Sequence, residues 1–258
     1  MAGTFMLEEL KIRVHGTDTL PTLIYLPGLH GDWTLVGDFR RLLAGKVRFV
    51  EFIYPRTLTW SLDDYAAAIE DVLAQNGITG GWLLGESYGS QIGWTLVARN
   101  KFSAQGIILA GGFVKHPLRW GVRLMQTILG IIPFKLLGWF LSSYAKVLRF
   151  RYRHSPETLA SIDEFIIRRT ELDCQAMRQR LEQIYGFNPR ETARTTAVPI
   201  FYMSGWLDPI VPWPMVRRWL RKNCPGLRGD KIIFTADHNI LGTAHAKAAR
   251  QILTWMQS

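Results

Sequence analysis

Residues 82–92 read Trp82-Leu83-Leu84-Gly85-Glu86-Ser87-Tyr88-Gly89-Ser90-Gln91-Ile92. An apolar run stops at the pattern G-x-S-x-G, and behind it Ile92, Leu96 and Val97 recur at helical spacing. A buried strand that turns sharply into a helix around a serine accounts for both halves. Glycine suits positions 85 and 89, because a side chain at either would strike the neighbouring strand or helix. Such a turn exposes Ser87 above the sheet edge, with a helix N-terminus beneath it that favours developing negative charge. Alone the pattern is weak: with 23 glycines in the chain, chance supplies a match about one time in ten. Its strand–turn–helix setting gives it weight.

Outward from this turn the chain alternates. Strands are expected at 10–14, 22–26, 47–54, 80–84 and 106–110, with helices over 39–43, behind Ser61 and over 91–99. Ser61-Leu62-Asp63-Asp64 has the form of a helix cap, the hydroxyl being available to the unpaired amides of the first turn. Short connections between alternating strands and helices predict an α/β fold: a mostly parallel sheet with helices on both faces. The alternation breaks over 113–195, which reads as helical, with one helix opened by Ser155-Pro156. It resumes with a strand at 198–203, a helix at 213–222, a strand at 231–235 and a final helix. The expected organisation is a core of 1–112 and 196–258 with a helical insertion at 113–195.

A serine hydroxyl needs a base to take its proton and an acid to orient that base. Asp208 follows the strand at 198–203 within Ser204-Gly205-Trp206-Leu207-Asp208-Pro209, and His238 follows the strand at 231–235. Both leave the sheet at its carboxyl edge, where open α/β sheets bind ligands. Asp208 is also placed to cap the helix beginning near Trp213, and Asp237 is a rival acid beside His238. No acid stands at Ala110-Gly111-Gly112, the end of another strand. His245 reads as structural, and His15, His116 and His154 show no partner pattern.

Ser87 in its glycine pattern, Asp208 in Gly-x-x-Asp-Pro-x-Val-Pro (Gly205 to Pro212) and His238 before the last helix resemble the α/β-hydrolase superfamily, in the chain order Ser, Asp, His. The resemblance runs from about Ile24 to the C-terminus and covers 113–195 poorly. It implies an acyl-enzyme mechanism without a cofactor, with Ser87, Asp208 and His238 catalytic and 113–195 as a cap. Leu26-Pro27-Gly28-Leu29-His30-Gly31-Asp32 resembles the family's oxyanion loop, which implies that the backbone N–H groups of Leu29 and Tyr88 hold the oxyanion. Many relatives have His-Gly where this chain has Pro27-Gly28. His30 and Trp206 are candidate substrate contacts. Serine at the elbow argues against the branches that attack with aspartate. The expected reaction is hydrolysis of a carboxylic ester or thioester with an apolar acyl group. An acyltransferase, a carbon–carbon hydrolase and a non-catalytic lipid- or partner-binding protein are the alternatives.

Over 113–153 there is no Asp or Glu, against eight Lys and Arg interleaved with Trp, Phe, Leu and Ile. Such a segment suits an anionic membrane surface or the mouth of an acyl pocket, and equally a cap that keeps its basic face in water. The whole chain carries a net charge of +10 with a pI near 9.9, but bulky aliphatics and no recognised motif argue against nucleic acid. The stretch 124–144 is apolar, yet Pro133 and Lys135 interrupt it, so no membrane span is expected. Cys174 and Cys224 lie in no metal-ligand spacing, which argues against zinc or a disulfide framework. The N-terminus lacks the pattern of a signal peptide, and a cytoplasmic address is expected.

Overall fold

The computed structural model describes residues 9–133, 136, 138–139, 143, 145–146, 149, 156–167 and 170–258. Seven strands form one sheet: β1 (Lys11–His15), β2 (Thr22–Leu26), β3 (Arg48–Ile53), β4 (Gly80–Glu86), β5 (Ser103–Ala110), β6 (Ile200–Gly205) and β7 (Leu227–Ile233), in spatial order β1-β3-β2-β4-β5-β6-β7. β1 is antiparallel to β3, and every other pairing is parallel. The expected mostly parallel sheet is therefore what the chain forms.

Alternation along the central strands fills both faces. Ile24, Leu26, Leu83, Ile107, Leu109 and Tyr202 meet α2 (Leu62–Gln75), α3 (Gly89–Arg99) and α8 (Trp213–Asn223) on one side. Leu23, Tyr25, Leu84, Ile108, Phe201 and Met203 meet α1 (Gly37–Leu43) and α10 (His245–Trp255) on the other. Strands covered on both faces read as continuous apolar runs, and each fully buried Leu, Ile or Phe contributes about 1.5–3 kcal/mol. Ser61 caps α2 as expected: its hydroxyl accepts the Asp64 N–H, and the Asp64 carboxylate accepts the Ser61 N–H. Those bonds hold the Asp64 carboxyl below its ordinary value.

Between β5 and β6 the described residues form α4 (Arg119–Ile131), α5 (Pro156–Ile167), α6 (Glu171–Gly186) and α7 (Arg190–Thr195). Lys135, Arg151, Arg153, His154 and the expected cap Ser155 lie outside the described residues. Among the described residues no helix is long and apolar enough to cross a membrane. The expected final helix is split into α9 (Ile240–Thr243) and α10, and β7 begins four residues before the expected 231. Polar Arg228 and Asp230 hid the start of this edge strand. Cys174 and Cys224 are both buried and form no disulfide, and burial raises the Cys224 thiol to about 11.

Candidate active site

β4 hands its last residue, Glu86, to Ser87, whose φ of +49° is rare for a residue with a side chain. Such a conformation costs about 1–3 kcal/mol and persists where its surroundings over-determine it. Here Ser87 N–H donates to Ala110 O (3.0 Å), Ser90 Oγ donates to Ser87 O (2.6 Å), and α3 starts at Gly89. A Cβ at Gly85 would lie 2.7 Å from Ser90 Cα, and one at Gly89 would run into Leu26 O. Both glycines are thus steric requirements of the turn. Glu86 is buried and accepts the Tyr25 hydroxyl at 2.5 Å.

His238 Nε2 lies 2.9 Å from Ser87 Oγ, and its Nδ1 lies 2.8 Å from Asp208 Oδ2. A carboxylate only accepts, so Nδ1 carries the proton and Nε2 accepts from the serine hydroxyl. The Asp208 side chain is fully buried, and its other oxygen accepts the N–H groups of Ile210 and Val211 at 2.9 Å each. It caps its own turn, whereas α8 has Pro212 at its N-cap and no side-chain cap. The rival Asp237 turns to the Asn239 N–H and the Thr243 hydroxyl. Three residues far apart in sequence therefore form one hydrogen-bonded line at the carboxyl edge of β4, β6 and β7.

Among the described residues no hydrogen bond is donated by the backbone N–H of Leu29 or of Tyr88. Unclaimed backbone N–H groups are the kind of donor that stabilises an oxyanion. His30 donates its Nε2–H to Asp32 O at 2.9 Å, and its ring sits edge-on to Phe165. It lines a cavity of about 260 Å³ with Tyr54, Arg56 and Arg180, whose walls include none of Ser87, Asp208 and His238. Trp206 is half exposed and packs, tilted, between Trp213 and Phe234. Among the described residues no group of three or more His, Cys, Asp or Glu could hold a metal ion.

Three residues around the site had no signal in the sequence. Arg180 of α6 is only 3% exposed, and its guanidinium donates to Leu29 O at 2.9 Å and Pro55 O at 3.3 Å. It thereby fixes the loop that carries the Leu29 N–H. Gln183, one turn on, accepts the Tyr88 hydroxyl and donates to Trp60 O, both at 2.5 Å. His116 is buried against Phe113 and accepts the Leu118 N–H at 3.2 Å. Burial pushes its imidazole below the ordinary value. A buried arginine three residues before a glutamine on a polar helix reads as a solvated face until its partners are seen.

No curated protein matches this sequence. Solved structures do match the fold. A hydrolase from Pseudomonas aeruginosa PA01 superimposes with a TM-score of 0.79 at 12% identity, over 100% of both chains. The esterase of Exiguobacterium antarcticum gives 0.76 at 15% identity over 96% of each chain. The enol-lactonase of Burkholderia xenovorans LB400 gives 0.76 at 17% identity over 96% of each chain. At such identities the likeness is one of fold. The sequence profile described as alpha/beta hydrolase fold matches residues 51–244, a span that holds Ser87, Asp208 and His238, and the chain belongs to the α/β-hydrolase fold family.

Proposed function

We propose that the chain is a serine hydrolase of carboxylic ester or thioester bonds, working through an acyl-enzyme on Ser87. The observation that carries this reading is the hydrogen-bonded line from Ser87 through His238 to Asp208, starting on a positive-φ elbow. Ser87 Oγ attacks the acyl carbon while its proton passes to His238 Nε2. Asp208 holds the imidazole in the tautomer that accepts this proton and stabilises the cation that forms. The carbonyl oxygen, now anionic, takes the N–H groups of Leu29 and Tyr88. His238 then gives the proton to the leaving alcohol or thiol, leaving the acyl group on Ser87. Water, deprotonated by His238, attacks the acyl-enzyme, and the acid departs as Ser87 recovers its proton.

The 113–195 segment acts as the cap, a role supported by Arg180 and Gln183 reaching the oxyanion loop and Tyr88. Trp206 and Leu207, next to Asp208, suit an apolar acyl group. Ser87→Ala is expected to abolish both p-nitrophenyl ester turnover and labelling by a fluorophosphonate probe. Labelling that survives in this variant would overturn the assignment.

A further inference from the structure

β6 and β7 end side by side, and the residues that leave them turn outward. Trp206 N–H donates to Ile233 O at 3.0 Å, which sets the Trp206 ring beside Phe234 with centroids 5.1 Å apart. On its other flank Trp213 lies 5.2 Å away and donates its Nε1–H to Trp206 O. Trp206 and Phe234 pack on one another and not into the core, and Trp213 joins them to its edge. Phe234 is 68% exposed, Leu207 and Ile210 56%, Met215 51% and Trp206 48%. A contiguous apolar surface of this kind marks a site of interaction.

Its surroundings are cationic. Between Trp206 and Arg250 stand eight Lys and Arg against three Asp and no Glu. The three aspartates are occupied: Asp208 holds His238, Asp237 binds Asn239 and Thr243, and Asp230 pairs with Arg217 and Arg221. Arg218 and Lys222 have no acidic partner among the described residues, and they line a groove with Trp213 along α8. On the opposite flank Lys231, Lys247 and Arg250 line a second groove with Phe234.

We infer that this surface docks on an anionic lipid bilayer, its apolar side chains entering the interface and its flanking cations meeting the headgroups. Tryptophan favours the membrane–water boundary, and each basic residue held near an anionic leaflet adds attraction. Nucleic acid fits less well, because Leu207, Ile210 and Met215 add aliphatic bulk that suits acyl chains, whereas a base would stack only on Trp206 and Phe234. The patch adjoins Asp208. On the functional reading above, docking would turn the site toward lipid and let an acyl substrate enter from the bilayer. Docking itself does not depend on that reading.

The test uses the full chain carrying Ser87→Ala, so binding is read without catalysis. Sedimentation with vesicles of phosphatidylcholine mixed with phosphatidylglycerol is expected, and none with phosphatidylcholine alone. Leu207→Ser with Phe234→Ser should weaken the binding about tenfold or more. Arg218→Ala with Lys222→Ala should weaken it roughly tenfold to thirtyfold, an effect that added salt abolishes. Melting curves confirm that these surface variants fold. Absence of sedimentation with the phosphatidylglycerol vesicles would overturn the proposal, as would binding that neither pair changes. So would binding lost only in Trp120→Ser with Leu124→Ser, which places the lipid on α4. A dimer broken by Phe234→Ser in a chain that ignores vesicles would assign the patch to a second copy. Retention on single-stranded RNA without vesicle binding would assign it to nucleic acid, and either result rejects the bilayer.

Discussion

Helices α4 and α6 belong to the same segment and pack on one another, Arg119 and Arg123 of α4 lying over Tyr185 of α6. Their relation to the site is opposite to what their compositions suggest. α4 is rich in Trp, Leu, Met and Ile, yet it buries only Val122, and Trp120 and Ile131 are 69% and 75% exposed. α6 is largely polar, yet it buries Cys174, Arg180, Leu181 and Ile184, and its arginine and glutamine reach the loops beside Ser87. An apolar face shows that a helix gains by being covered, without fixing what covers it. A buried guanidinium or amide must find oriented partners, because leaving it unpaired costs more than the bond is worth. On this segment the polar side chains therefore specify geometry.

Arg180→Met offers the strongest way to break that contrast. It leaves the carbonyls of Leu29 and Pro55 without their buried donor, at a cost of about 2–4 kcal/mol. The freed loop should lower kcat for p-nitrophenyl esters by about tenfold to a hundredfold, short of the loss of a whole oxyanion donor. KM should change little, and Arg180→Lys should not restore the rate, because a single ammonium lacks the planar fork that serves two carbonyls. Full kcat in Arg180→Met would show that α6 only supports the loop's stability.

Gln183→Leu should have a smaller effect, since it orphans the Tyr88 hydroxyl and Trp60 O and costs about 1–3 kcal/mol. Urea midpoints would measure it, and ester turnover at low temperature should be nearly retained.

His116, at the entry to the segment, sharpens the contrast through pH. Burial depresses its folded pKa below the ordinary imidazole value of about 6.5, so the unfolded chain binds the proton more readily. The stability associated with neutral His116 is complete above about pH 6.5 and declines as pH falls toward the folded value. Urea midpoints should fall over that window, and His116→Gln should flatten the decline.

The smallest effect belongs to α4. Trp120→Ser with Leu124→Ser should leave stability within about 0.5 kcal/mol and turnover unchanged, because both side chains are exposed. A larger loss in melting temperature would mean that the face is covered in solution.

The contrast also explains what could be read from the chain in advance. The elbow was legible because its requirements are local: two glycines that nothing larger can replace and a serine between a strand and a helix. β2 was legible to the residue, since a buried strand stopped by Pro27-Gly28 has sharp ends. Asp208 and His238 stood out because both follow apolar strands at the same edge. Arg180, Gln183 and His116 were not legible, because their partners are backbone carbonyls and amides, which every residue possesses and no sequence pattern marks. The capping box of α6, Thr170 with Asp173, is by contrast a local pattern.

The bond from Arg180 to Leu29 spans 151 residues of chain. The bond from His238 to Ser87 spans the same distance in sequence, so the Leu29 loop and the hydrogen-bonded line both take shape after the local strands and helices, since contacts so distant in sequence form late. Renatured chains would then regain their far-ultraviolet dichroism first and their turnover of ester later. The interval between the two signals is the time these long-range contacts take to close, and Arg180→Met should lower the turnover finally regained while leaving the earlier phase in place.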